Sequence, residues 1–199
     1  MALSPDGVPL GIIGNYIWSR GEKKDKSLNY SKPIEEKESF KWVSALEDYS
    51  NLIERKIPTI TICDRESDFN RFFQVSDDLN QKFVIRSFRD RNIGTRYHSI
   101  KMYDEIKKKI PFNSKEIISV PVKNRKVEDK RKNSHYKESM HFRDAHFRVY
   151  LQEVIIPACR KPYEEIKEET PLKHIYMEEI EPPSQEEKVE WHLLTNLNV

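Results

Sequence analysis

The run Thr59-Ile60-Thr61-Ile62-Cys63 constrains the fold more than any other stretch of this chain. Four of its five residues are β-branched, which suits an extended backbone, and helical periodicity stands on both sides of it. Upstream, residues 35–56 set Trp42, Val43, Leu46, Tyr49 and Ile53 on one side of a helix that Pro58 ends; downstream, residues 67–79 repeat Phe69, Phe72, Phe73 and Leu79. A short β-branched strand between two helices reads as a buried parallel strand. Residues 82–87 (Lys-Phe-Val-Ile-Arg-Ser) predict a second strand, and residues 8–18, apolar but broken by Gly11 and Gly14, predict another buried one. The order strand, helix, strand, helix, strand predicts an α/β core over residues 1–88.

Beyond residue 88 the pattern changes. Residues 117–122, 147–156, 174–180 and 189–194 read as strands, with Phe147, Val149 and Leu151 alternating against Arg148, Tyr150 and Gln152. Polar, proline-bearing connections at 157–171 and 181–188 separate them, so residues 89–199 predict an antiparallel, β-rich module. The chain has 199 residues, 37% of them hydrophobic, with nine Phe, nine Tyr and three Trp, enough to build a core and to exclude wholesale disorder.

A net charge of +2 gives no global attraction to a polyanion. The distribution says more. Residues 123–137 carry seven basic side chains (Lys123, Arg125, Lys126, Lys130, Arg131, Lys132, Lys137) against Glu128 and Asp129, a run that suits either a solvated hairpin tip or phosphate contacts. Cys63 and Cys159 lack metal-ligand spacing and read as reduced thiols, with a disulfide between them as the alternative, and no basic leader or membrane-length apolar run is present, so the reading is a soluble, cytoplasmic protein.

Three carboxylates, Asp64, Glu66 and Asp68, follow the constraining strand. In open α/β sheets chemistry gathers outside the carboxyl ends of parallel strands, which makes Asp64 the best single candidate for a catalytic or metal-binding acid. An aspartate there can equally cap the turn that follows. Glu66 and Asp68 fall at a helix start, where negative charge complements the helix dipole without any chemistry.

Taken in order, Pro9-Leu10-Gly11 with Trp18, residues 36–42 (Glu-Lys-Glu-Ser-Phe-Lys-Trp), the strand ending in Asp64-Arg65-Glu66-Ser67-Asp68, residues 83–87, residues 179–183 (Glu-Ile-Glu-Pro-Pro) and residues 191–195 form a series. The series resembles the DDE transposases of bacterial insertion sequences, in the group that includes the transposase of transposon number five. That resemblance covers nearly the whole chain. It implies an incomplete ribonuclease H-like core followed by an antiparallel β-rich insertion, and two Mg²⁺ or Mn²⁺ ions held by two aspartates and a glutamate for cleavage and transfer of DNA strands at transposon ends. By motif match Asp64 is the second aspartate of that triad and a metal ligand. Arg86 matches an arginine that contacts double-stranded transposon-end DNA, Trp191 a tryptophan that stacks on a flipped base, and a transposase homodimer is the implied assembly. From the residues alone, Arg86 is equally suited to a salt bridge, and Trp191, alternating with Val189 and Leu193, to a core position.

The family's first aspartate and its glutamate, the latter in a Y-x2-R-x3-E-x6-K signature, have no counterpart in these residues. The expectation is therefore an internal fragment of the catalytic domain, inactive alone, binding metal weakly and prone to self-association along an exposed sheet edge. The alternative is a non-enzymatic remnant that binds transposon ends or a full-length transposase through Lys123 to Lys137, Arg86 and Trp191.

Overall fold

The computed structural model describes residues 1–15, 17, 32–52, 57–93, 100–123, 140–158, 160–161, 164–165, 169–184 and 186–199. Its strands are β1 (Ala2–Leu3), β2 (Pro9–Gly11), β3 (Ile60–Cys63), β4 (Lys82–Arg86), β5 (Asn92–Ile93), β6 (Ile100–Lys101), β7 (Phe112–Lys123), β8 (Met140–Ile156), β9 (Arg160–Lys161), β10 (Glu164–Glu165), β11 (Thr170–Ile180) and β12 (Glu190–Thr195). Three α-helices, α1 (Phe40–Leu52), α2 (Asn70–Asp78) and α3 (Met102–Ile106), accompany them. The protein is thus mixed α/β.

Six strands form one sheet in the order β3-β4-β12-β11-β8-β7. Among the described residues of this sheet only β3 and β4 run parallel; the other pairs are antiparallel. The parallel pair requires a crossover, and α2 supplies it between β3 and β4. That helix buries Phe72, Phe73 and Val75 and ends in a Schellman turn, with Asn80 in the left-handed region at φ 51°, Gln81 N–H donating to the Ser76 carbonyl at 2.7 Å and Asn80 N–H to that of Asp77 at 2.8 Å. The turn aims the chain straight into β4.

Two cores lie on opposite faces of this sheet. On one face Phe83, Ile85, Leu194, Leu172, Val154 and Ile156 meet Val43 and Leu46 of α1 and the apolar side of α2. The Phe73 and Phe83 rings stack there at 5.7 Å between centroids. On the other face Val120, Ala145 and Phe147 pack with Met177, Val189 and Trp191. β8 serves both: Tyr150, Gln152, Val154 and Ile156 are buried on one parity and Ala145 and Phe147 on the other. Because successive side chains point to opposite faces, a strand that changes its buried parity belongs to a sheet that curls.

Several expectations are corrected. The described residues of 8–18 do not make a buried strand. β2 spans three residues in a small hairpin with β1, and Leu10 and Ile12 are 67% and 79% exposed; Trp18 lies outside the described residues. β3 is parallel as expected but outermost in the sheet, so only Thr61 and Cys63 turn toward the core side while Ile62 is 78% exposed. The helix expected over 35–56 starts later, since residues Ile34–Glu36 form a 3₁₀ turn and α1 follows at Phe40; residues 53–56 lie outside the described residues. α3 carries no long apolar period and was not foreseen; it buries Met102 and Ile106. Among the described residues no helix is long and apolar enough to cross a membrane.

Candidate functional site

β3 ends at Cys63, whose register partner across the parallel pair is Ile85, so Asp64 and Arg86 are the next residue on each strand. Both side chains stand at the strands' carboxyl ends and both residues are exposed. Asp64 caps the 3₁₀ turn Arg65–Ser67: its Oδ1 accepts the Arg65 N–H at 2.7 Å, and its carbonyl accepts the Ser67 N–H at 3.0 Å and hydroxyl at 2.7 Å. The capping alternative thus describes what Asp64 does locally. One hydrogen bond still leaves much of an exposed carboxylate open to solvent, where it can take a cation or a phosphate-bound metal.

Glu66 behaves as a surface acid, paired to Lys41 Nζ at 2.8 Å. Asp68 does not. The expectation of a helix-start charge fails because α2 begins after Phe69, in extended conformation, and the Asp68 carboxylate accepts from Arg91 and from the backbone after β4 instead of from the first turn of α2. Its side chain is fully shielded and cross-links the segment after β4. Oδ1 accepts Arg91 Nε at 3.1 Å and Nη2 at 2.6 Å; Oδ2 accepts the Phe88 N–H at 2.7 Å and the Arg89 N–H at 3.2 Å. A buried carboxylate is tolerated when charge-assisted hydrogen bonds satisfy both oxygens, as here. Arg91 also reaches Asn70 Oδ1 at 3.0 Å and the Asp68 carbonyl at 2.9 Å, so it ties the strand end to the start of α2.

Trp191 pairs with Met177 across β11 and β12 and lies half-buried, its ring stacked on Phe147 at 5.4 Å and 15°. Leu193 is the register partner of Arg86, so alternation puts Arg86, Leu193 and Trp191 on one face of the sheet. Asp64 adjoins that face at its edge. Lys123 ends β7 and only its backbone is described; Arg125, Lys126, Lys130, Arg131, Lys132 and Lys137 lie outside the described residues.

A second polar cluster lies under α3 on the opposite face. Gln152 Nε2 donates to the Met102 carbonyl at 3.0 Å and contacts His174 Nδ1 at 3.0 Å, and His174 Nε2 lies 2.9 Å from His192 Nδ1. Since an amide NH₂ only donates, His174 carries its proton on Nε2 and hands it to His192. Burial pushes His174 down to about 3 and His192 down to about 4, with the repulsion of His192 adding to the first and that of Lys107 to the second. Tyr103 stacks on His192 at 3.6 Å and donates its hydroxyl to Ser87 Oγ at 3.1 Å. Alternation of His174 with Tyr176, and of Gln152 with Val154, was the one available signal in the sequence for these positions.

The site belongs to a broad class: a mixed α/β protein with an acid at the end of a parallel strand and an arginine beside it. A scan against models of protein families finds no match, and a search of curated proteins finds none. Among the described residues no three His, Cys, Asp or Glu side chains are gathered as a metal site. Asp64 offers one hard oxygen ligand at the strand end.

Proposed function

We propose that the chain is a piece of the catalytic domain of a DDE transposase of the bacterial insertion-sequence kind, acting on the double-stranded DNA of transposon ends. In this reading β3, α2 and β4 belong to a ribonuclease H-like core, and β7, β8, β11 and β12 to its β-rich insertion. The observation that carries it is the parallel pairing of Cys63 with Ile85, which sets Asp64 and Arg86 side by side at the strand ends, in the order the family motifs require. An acid there suits a metal ligand, and a neighbouring guanidinium suits a phosphate. Asp64 would supply one ligand to the Mg²⁺ or Mn²⁺ ions whose chemistry activates the nucleophile and stabilises the leaving oxygen in strand cleavage. Arg86 would hold the backbone of the end DNA, and the 199 residues alone carry out no cleavage because one carboxylate is too few.

The test is a gel-shift titration of the purified chain against duplexes of the flanking inverted ends and of scrambled sequence, at several stated salt concentrations, with nicking followed in Mg²⁺ and Mn²⁺. End-preferring binding that weakens as salt rises, lowered in Arg86→Ala, is expected, without nicking. Absence of DNA binding at low salt would overturn the reading, and metal-dependent nicking lost in Asp64→Ala would overturn the inactivity.

A further inference from the structure

The segment that leaves β4 carries a phenyl ring in an unusual setting. Phe88 is 59% exposed, although burying a large apolar ring is favourable. It is also not on a loose loop. The buried Asp68 carboxylate holds the N–H groups of both Phe88 and Arg89, and the Arg91 guanidinium closes the segment from the other side. Its backbone is thus fixed by a charged network while its ring is kept in solvent.

The ring's neighbours are cations. The Arg65 guanidinium lies 5.9 Å from the Phe88 ring centroid, and Arg86 and Arg89, both exposed, lie on the same strand end. Arg65 is in turn the residue whose N–H the Asp64 carboxylate accepts, so one residue links the candidate catalytic acid to the exposed ring. A fixed aromatic face with one guanidinium beside it and two further exposed arginines in the same short segment has the composition of a platform for single-stranded nucleic acid, in which a base stacks on the ring and guanidinium groups take the flanking phosphates. A duplex offers no free base face except at an end or where a base pair has opened.

We propose that Phe88 is a stacking position for an unpaired base of the DNA strand that lies across Asp64, with Arg65, Arg86 and Arg89 holding the adjacent phosphates. This rests on the DNA reading above and adds the state of the DNA that the site takes: a strand end or an opened base pair. Phe88 is a binding residue, not a catalytic one.

The experiment uses the full chain and two probes at about 0.1 M salt: a single strand carrying 2-aminopurine, whose fluorescence falls on stacking, and a blunt duplex of the same sequence. The expected result is quenching of the single strand by the wild type, with binding weakened on the order of 10-fold in Phe88→Ala and retained in Phe88→Tyr. Duplex affinity should change less than about 2-fold in either variant, since phosphate contacts dominate it. Equal single-strand affinity and quenching in wild type and Phe88→Ala, with Arg86→Ala still weakening the duplex, would overturn the stacking role and leave the DNA reading standing. No binding of either probe by the wild type would overturn both. Because Phe88 is exposed, Phe88→Ala should melt at the wild-type temperature, which separates lost stacking from lost folding.

Discussion

Asp68 grips Arg91 through a single carboxylate oxygen, with Nε at 3.1 Å and Nη2 at 2.6 Å, and no part of the aspartate side chain reaches solvent. The other oxygen is spent on two backbone N–H groups after β4. This pair, rather than the neighbouring Asp64, is what makes the strand end a fixed structure. Removing one partner of such a pair leaves a buried, uncompensated charge, so Asp68→Ala is expected to cost about 3–5 kcal/mol. Asp64→Ala, which removes one exposed capping bond, should cost only about 1 kcal/mol. Chemical denaturation of the two variants checks this, and comparable losses would contradict it.

Trp191 contributes to packing whatever else it does. Its ring lies on Phe147 in the core that β8 forms on the sheet's second face. Trp191→Ala is expected to lose about 2 kcal/mol, less than the 3–5 kcal/mol of a fully buried ring because one side is open, and Trp191→Phe under about 1 kcal/mol. An unchanged melting curve for Trp191→Ala would assign the ring to binding alone.

The histidine pair makes stability fall in acid. In the unfolded chain both rings titrate near 6.5, while in the fold burial lowers them to about 3 and about 4. Between those limits the unfolded state binds more protons, so stability is complete above about pH 6.5 and declines as pH falls toward 4 and then 3. The slope for one fully uncharged histidine is about 1.4 kcal/mol per pH unit, and the half-buried His192 contributes less. His174 is shielded from solvent, and its neighbours Gln152 and Tyr103 carry no charge to compensate a proton. Denaturant midpoints measured from pH 7.5 to pH 4.5 should drop for the wild type, and the slope should shrink in His192→Gln. A flat profile would mean that the pair is already protonated or solvated in the fold.

Among the described residues β3 is the outermost strand and pairs with β4 alone, and Ile60 and Ile62 stand exposed on it at 52% and 78%. An open edge with apolar side chains invites pairing with another chain, whereas a lysine at the edge opposes it. Ile62→Lys is expected to change stability by under about 0.5 kcal/mol while lowering self-association in sedimentation velocity. Equal sedimentation of the two proteins across concentrations would show that association does not use this edge.

Much of the local structure was legible from residue type alone. α2 falls within the expected helix and β4 within the expected strand, because Phe69, Phe72 and Phe73 recur at helical spacing and Phe83 and Ile85 share one face of an extended apolar run. β7, β8, β11 and β12 were likewise visible as runs of strand character, though β7, β8 and β11 extend beyond their expected bounds. The acid at the strand end was legible too. The work of Asp68 was not, since its partner Arg91 lies 23 residues away and nothing local distinguishes it from a helix-start acid.

The sequence by itself determined where α2, β3, β4 and the longer strands of the second half run and which acid follows the parallel strand, since propensity and period act over a few neighbouring residues. The tertiary structure alone decided that β4 pairs with β12, making one sheet across residues 88 and 89, that β8 turns its buried side midway, and that Asp68 anchors an exposed Phe88. Those outcomes depend on strand partners and buried charges that meet only when distant segments close on one another. Their cost and gain are set by burial, and no short stretch of chain specifies burial on its own.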